Sequence, residues 1–237
     1  IDLGFTSVMI DGSLMEDGKT PSTFEYNVKV TAEVVKYAHD LGVSVEGELG
    51  TLGGIEDGVG SGQTQLTDPD QAVEFVERTG VDALAISIGT SHGAYKFKGE
   101  PKLAFDIIEK IREKLPDLYL VAHGSSSVPQ ELLDIINQYG GDMETAKGVP
   151  ITALQKAIAC GINKINVDTD IRLAATGAIR KFLAENPKAF DPRQYNTVAR
   201  EAIAAEVKKR MEAFGMAGHR DEVPNWGLAE MKKQYNS

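Results

Sequence analysis

An α/β fold on a parallel sheet is predicted by three observations. Short apolar runs recur at intervals of about 35 to 45 residues, a helical pattern follows each run, and polar residues gather just past the ends of the runs. Five such βα units are legible in the 237 residues. Eight units close a (β/α)8, or TIM, barrel of about 250 residues. The segment Asp2-Leu3-Gly4 reads as the last turn and closing glycine of a helix. The expectation is a barrel represented by about five of its units, with the first three outside the given chain. A five-stranded doubly wound sheet, complete in itself, is the alternative.

The elements follow in order. Phe5 to Ile10 reads as the first strand, and a polar, turn-rich loop over 14–24 leads to a helix from about Ser22 to Leu41. His39, near the end of that helix, reads as a surface residue. Val43 to Glu48 is the second strand, and a glycine-rich loop over 51–67 follows it, of the kind that is more often functional than accidental. Asp68-Pro69 is an N-cap followed by an N1 proline, and Gly80 ends that helix. The strand from Asp82 to Ile88 precedes a helix over Pro101 to Leu115. Leu118 to Ala122 precedes a helix near Pro129 to Tyr139, and Pro150 to Cys160 forms another helix. The strand Asn163 to Val167 is followed by helices over Arg172 to Ala184 and Thr197 to Phe214. Residues 1–215 are assigned to the partial barrel and 216–237 to an irregular C-terminal extension.

Composition narrows the function. A formal charge of −10 and a pI near 5.0 disfavour a nucleic-acid partner, because a phosphate backbone asks for a basic face. Cys160 is the only cysteine, so neither a disulfide framework nor a thiolate metal site is available, which suits a reducing, cytoplasmic setting. No apolar run approaches the roughly 20 residues of a membrane span, and a membrane partner is not expected.

Two strands end in the same dipeptide, at His92-Gly93 and His123-Gly124. Strand ends are where parallel α/β folds place ligands, and two such imidazoles suggest convergence on one metal ion. Glu46 and Glu48 share one face of their strand, with Glu48 nearer the mouth, and Asp11 ends the first strand in the same way. Glu56 and Asp57 lie in the glycine-rich loop, where a carboxylate able to swing over a substrate suits general-base chemistry. Gly93, Gly124, Ser126, Asn166 and Thr169 bring small residues, amides and hydroxyls to late strand ends, where barrels commonly bind phosphate. Asp168, an acceptor, is assigned to a substrate hydroxyl.

The motifs GTSHGAYK (89–96), AHGSS (122–126), NVDTD (166–170) and EGELGTLGGIEDG (46–58) together resemble those of the class II fructose-bisphosphate aldolases, from Phe5 to about Gly215. That resemblance implies a zinc-dependent lyase acting in glycolysis, gluconeogenesis or the Calvin cycle. Such an enzyme is a homodimer or homotetramer that reversibly cleaves fructose 1,6-bisphosphate to dihydroxyacetone phosphate and glyceraldehyde 3-phosphate. It implies His92 and His123 as zinc ligands, Asp11 and Glu48 at a second or alternate divalent site, and Glu56 as the catalytic base. Gly93, Gly124, Ser126, Asn166 and Thr169 then hold the ketose phosphate, Asp168 its hydroxyls, and Arg210 the other phosphate in a neighbouring subunit. Backbone carbonyls around Gly93 and Gly124 match a monovalent cation position, for Na+ or K+. The family's His-x-Asp-His segment, which supplies a third zinc ligand and an aspartate for the C4 hydroxyl, has no counterpart in these residues. The chain as given is therefore expected to bind catalytic zinc poorly and to turn over little or not at all. A tagatose-bisphosphate aldolase and a non-catalytic phosphate-binding or interaction barrel are the alternatives.

Overall fold

A computed structural model of the chain describes residues 1–52, 64–93, 101–144 and 146–235. Among the described residues, five strands form one parallel sheet: β1 (Ser7–Ile10), β2 (Ser44–Leu49), β3 (Ala83–Ile86), β4 (Tyr119–Ala122) and β5 (Ile162–Ile165). Their spatial order is their sequence order, β1-β2-β3-β4-β5. A doubly wound sheet reverses its strand order at a switch point, whereas a barrel adds each new strand beside the last. The sheet is thus a sector of a barrel, and the doubly wound alternative falls.

Helices connect the strands where the sequence signals ask for them. Helix α1 (Phe24–Asp40) starts at Thr23, whose side chain accepts the Tyr26 N–H, and α2 (Pro69–Thr79) starts at Asp68, which accepts from Asp70 and Gln71. The others are α3 (Phe105–Lys114), α4 (Gln130–Gln138), α5 (Ile151–Cys160), α6 (Thr169–Glu185), α7 (Pro192–Ala213) and α8 (Leu228–Tyr235).

Three helix starts depart from the sequence reading by three residues or more, for local reasons. Helix α3 begins at Phe105 rather than Pro101, because the Ala104 N–H is donated to the Ile88 carbonyl and ties this segment to the end of β3. Helix α6 begins at Thr169 rather than Arg172, since the Asp168 carbonyl accepts from Ile171 and Arg172. Helix α7 begins at Pro192, where Asp191 caps the chain and proline takes the first turn. The C-terminal extension is not irregular: a turn at Arg220–Glu222 leads into α8. Leu228 packs against the main core, and the Lys232 backbone lies over Gly42, where a Cβ would approach it to 2.7 Å. Gly42 also has φ +75°, which glycine adopts at no steric cost.

The main core lies between one face of the sheet and helices α1, α2, α3 and α5, with Val45, Leu84, Ile86, Leu120 and Ile162 meeting Phe75, Ile108 and Ile111. Phe75 is fully buried and meets Phe24 edge-on at 6.2 Å. A second cluster joins Leu133 and Ile136 of α4 to Leu173 of α6 and Val128. His39 is not a free surface group: its Nε2 lies 2.8 Å from Asp82, which also accepts the Val45 N–H at 2.7 Å. That carboxylate pins α1 to the start of the sheet.

The opposite face of the sheet carries the polar residues. Register pairs Glu46 with Ala83 and Glu48 with Ala85, and Ala85 with Val121, so both carboxylates stand on the face turned away from the helices. A bulge between Leu120 and Val121 then pairs Leu120 with Ile162 but Val121 with Lys164. Lys164 is thereby moved onto the carboxylate face, while the skipped Asn163 accepts the Leu120 N–H and an Arg112 N–H through its side chain.

Phe75→Ala should lower unfolding free energy by about 3 to 5 kcal/mol, the range for emptying a buried phenyl site. Urea denaturation would show this as a lower midpoint at unchanged slope.

Candidate active site

Four strand ends build the site. β4 ends at Ala122 and delivers His123, which is buried; its Nε2 lies 2.7 Å from Glu46 and its Nδ1 lies 3.1 Å from Glu48. β2 supplies both carboxylates, and Lys164 of β5 reaches the second oxygen of Glu46 at 2.7 Å. The loop after β3 brings His92 to face His123, with ring centroids 6.4 Å apart and nearly perpendicular.

Gly124 is what lets these two loops meet. It has φ +60°, and a Cβ there would come within 2.7 Å of the Ser91 backbone, beside His92.

The electrostatics are dominated by burial and pairing. Burial opposes a charge on His123, but its hydrogen bonds to Glu46 and Glu48 outweigh that and push its pKa up to about 9. Burial likewise works against the Glu46 carboxylate, and contacts with His123 and Lys164 overcome it, holding this acid below its usual range. Burial also dominates at Glu48 and is reinforced by the nearby Asp11 charge, so its carboxyl is pushed up despite the His123 contact.

A cavity of about 150 Å³ opens at the strand ends, bordered by the two imidazoles on one side. Gly124, Ser126, Asn166, Asp168 and Thr169 complete its wall. Ser126 is fixed inside this wall: its Oγ accepts the Asp168 and Thr169 N–H groups, each at 3.1 Å, which leaves its hydroxyl proton to donate. It thus caps α6, a task the Asp168 side chain does not perform.

The structure brings seven of the residues singled out in the sequence to one cavity. Glu48 sits behind it, against His123, and Asp11 is close enough to Glu48 to act on its charge while accepting from the Ser13 N–H and hydroxyl. Gly93 follows His92 but is not in the wall. Arg210 is not at the cavity either; it is largely buried against Asp170, Ser127 and Glu206. Glu56 lies outside the described residues, as does Asp57. Glu46 and Lys164 acquire a place that the sequence reading did not assign. For Glu46 the alternation with Glu48 was a usable signal, whereas the bulge that turns Lys164 inward leaves no trace in composition.

Residues 1–219 match the family described as fructose-bisphosphate aldolase class-II. The chain belongs to the class II fructose-bisphosphate aldolases. The plasmid fructose-bisphosphate aldolase of Cupriavidus necator is 55% identical over 98% of this chain and 72% of its own length. The Pseudomonas aeruginosa fructose-bisphosphate aldolase is 52% identical over 99% of this chain and 71% of its own length. Among solved structures, the YdjI aldolase of Escherichia coli K12 superposes with a TM-score of 0.62 at 30% identity, covering 91% of this chain. The chain spans 62% of that structure's length. Class II aldolases are generally zinc-dependent lyases of sugar phosphates. No helix among the described residues is long and apolar enough to cross a membrane.

Two imidazoles and a carboxylate are the donor types of a catalytic zinc site. His92, His123 and Glu48 therefore suit zinc by kind, although no three such side chains are grouped closely enough among the described residues to close on an ion. Both ring nitrogens of His123 are engaged by carboxylates, so coordination has to replace one of those hydrogen bonds.

His123 has its pKa raised on folding from an ordinary 6.5 to about 9, so its contribution to stability is complete below pH 6.5 and is lost as pH rises through 9. Chelator-treated protein should therefore lose stability between pH 6.5 and 9 in urea titrations. In Glu46→Gln that loss should be shallower, because one of the two charges favouring the imidazolium is gone.

Proposed function

We propose that this chain carries the zinc and ketose-phosphate half of a fructose-1,6-bisphosphate aldolase site. The observation that supports this best is the single cavity bounded by two facing imidazoles on one side and by Ser126, Asn166 and Thr169 on the other. A ketose phosphate spans that distance chemically, with its carbonyl at one end and its phosphate at the other.

His92 and His123, with Glu48, would hold zinc, which when bound supplies Lewis acidity toward the substrate carbonyl. Glu46 orients His123 by engaging Nε2, and Lys164 keeps Glu46 charged and in place. Ser126 donates its free hydroxyl proton to the phosphate while its lone pairs hold the α6 amides, and Thr169 adds a second hydroxyl. Anchoring the phosphate fixes the carbon chain relative to the imidazoles, so that proton removal occurs at one carbon only. Asp168 accepts from a substrate hydroxyl, and Glu56 is the base that takes the proton next to the ketone. Gly93 and the backbone around Gly124 offer carbonyls for a monovalent cation, Na+ or K+, and Asp11 an acid for a second divalent ion. The assembled enzyme is a cytoplasmic homodimer or homotetramer.

A catalytic zinc site takes three protein ligands at coordination distance and an open position, and among the described residues His92, His123 and Glu48 are not grouped that closely. The 237 residues, assayed by themselves, are expected to show little or no cleavage of fructose 1,6-bisphosphate, with zinc supplied and then removed by EDTA. Chelator-sensitive cleavage would show that His92, His123 and Glu48 do close on an ion and that an acid lies among residues given no such role here. Calorimetry with dihydroxyacetone phosphate tests the site itself: binding that weakens at least tenfold in Ser126→Ala is expected, and no binding by the unmodified protein would overturn the proposal.

A further inference from the structure

Arg210 resembles, by sequence, an arginine that serves a neighbouring subunit, but its surroundings give it a different task. Asp170, in the first turn of α6, is completely buried and uses both carboxylate oxygens. Oδ1 accepts the Val128 N–H at 2.7 Å; Oδ2 accepts the Ser127 N–H at 2.9 Å, the Ser127 hydroxyl at 3.0 Å and the Arg210 Nε–H at 3.1 Å. Arg210 reaches over from α7, donates from Nη2 to the Ser127 hydroxyl at 2.8 Å, and is backed by an ion pair with the buried Glu206.

These contacts run opposite to those of Ser126. Ser126, in the loop after β4, accepts the backbone amides of 168 and 169; Asp170, one residue further on, accepts the backbone amides of 127 and 128. The loop after β4 and the first turn of α6 are thus bonded reciprocally, and they are the two walls of the cavity that carry its hydroxyls. The reciprocal bonding holds a strained backbone. Val128 has φ +51° and is the one non-glycine residue with positive φ among the described residues. A β-branched side chain adopts that region only when its surroundings impose it.

We infer that Arg210 is a positioning residue for phosphate binding, acting through Asp170 and Ser127 to hold Ser126 and Thr169 at the cavity wall. A buried ion network is not needed for stability as such, because well-packed apolar groups of similar volume often serve equally well. What apolar groups do not provide is a fork that fixes one carboxylate and one hydroxyl at once. The inference rests on the phosphate reading of the cavity given above.

The test titrates inorganic phosphate into the full chain and follows the amide resonances of Gly124 and Thr169, with hydrogen exchange at the Val128 amide read in parallel. Three proteins are compared: unmodified, Arg210→Lys, and the double variant Arg210→Met with Glu206→Leu, which removes the cation and one of its two carboxylates and leaves Asp170 the hydrogen bonds from Ser127 and Val128. The double variant should still unfold cooperatively, at a lowered temperature because Asp170 loses its cation, bind phosphate at least tenfold more weakly, and exchange the Val128 amide at least tenfold faster. Arg210→Lys should recover part of both effects, since one ammonium can meet Asp170 or Ser127 but not both. Phosphate binding within twofold of the unmodified protein in the double variant would overturn the inference. If the double variant does not fold, Ser127→Ala decides: it removes only the shared hydroxyl, and undiminished phosphate affinity would overturn the inference equally. Failure of the unmodified chain to bind phosphate would overturn the reading of the cavity, and the positioning role with it; phosphate binding that is indifferent to these substitutions would leave the cavity reading standing.

Discussion

Register in the parallel sheet is the constraint on which the site depends. Side chains alternate faces along each strand, so a slip of one residue in β2 would send Glu46 and Glu48 into the helix layer and bring Val45 and Leu49 to the polar face. The apolar core against α1, α2, α3 and α5 forbids that slip, because Val45, Leu84 and Leu120 are buried there almost completely. Hydrophobic burial therefore places carboxylates that it never touches. At β5 the same rule is broken once, by the bulge, and the break delivers Lys164 to Glu46.

The polar face that results is a row of alternating charge. Lys164, Glu46, His123 and Glu48 follow one another at contact distances between 2.7 and 3.1 Å, with Asp11 close behind. Each buried charge has an opposite neighbour, which is the condition for keeping ionised groups out of water. The row ends at the cavity, where the chemistry changes from ion pairs to hydroxyls and amides held by Ser126 and Asp170. His123 and the hydroxyls of the cavity wall are in this way supported by separate networks, one on β2, β4 and β5, the other on α6 and α7.

Most of the architecture was legible because its signals are local. The Asp68-Pro69 start of α2, the strand and loop carrying His123, and the paired His-Gly strand ends each depend on a few adjacent residues, and each element stands where it was read. The number of strands and their parallel sense followed from the spacing, and the sequential order then separated barrel from doubly wound sheet. What could not be read depends on distant partners. Helix α3 starts late because Ala104 is bonded to Ile88, and Arg210 is buried because Asp170, forty residues earlier, lies beneath it. Helix α8 has only sparse apolar spacing of its own and is recognisable through what it covers at Gly42. The cavity wall was visible as a set of residue types, but the reciprocal bonding between Ser126 and Asp170 was not, since hydroxyls and carboxylates in loops have many partners to choose from.

Helix α8 has a practical consequence. Gly42, which it covers, precedes the first residue of β2, whereas the imidazoles and hydroxyls follow the last residues of β3, β4 and β5. In a parallel sheet those are opposite ends of the molecule. A surface tether, a fluorophore or a solid support attached through α8 would hold the protein at the end of the sheet opposite its cavity, leaving the cavity turned toward the solution.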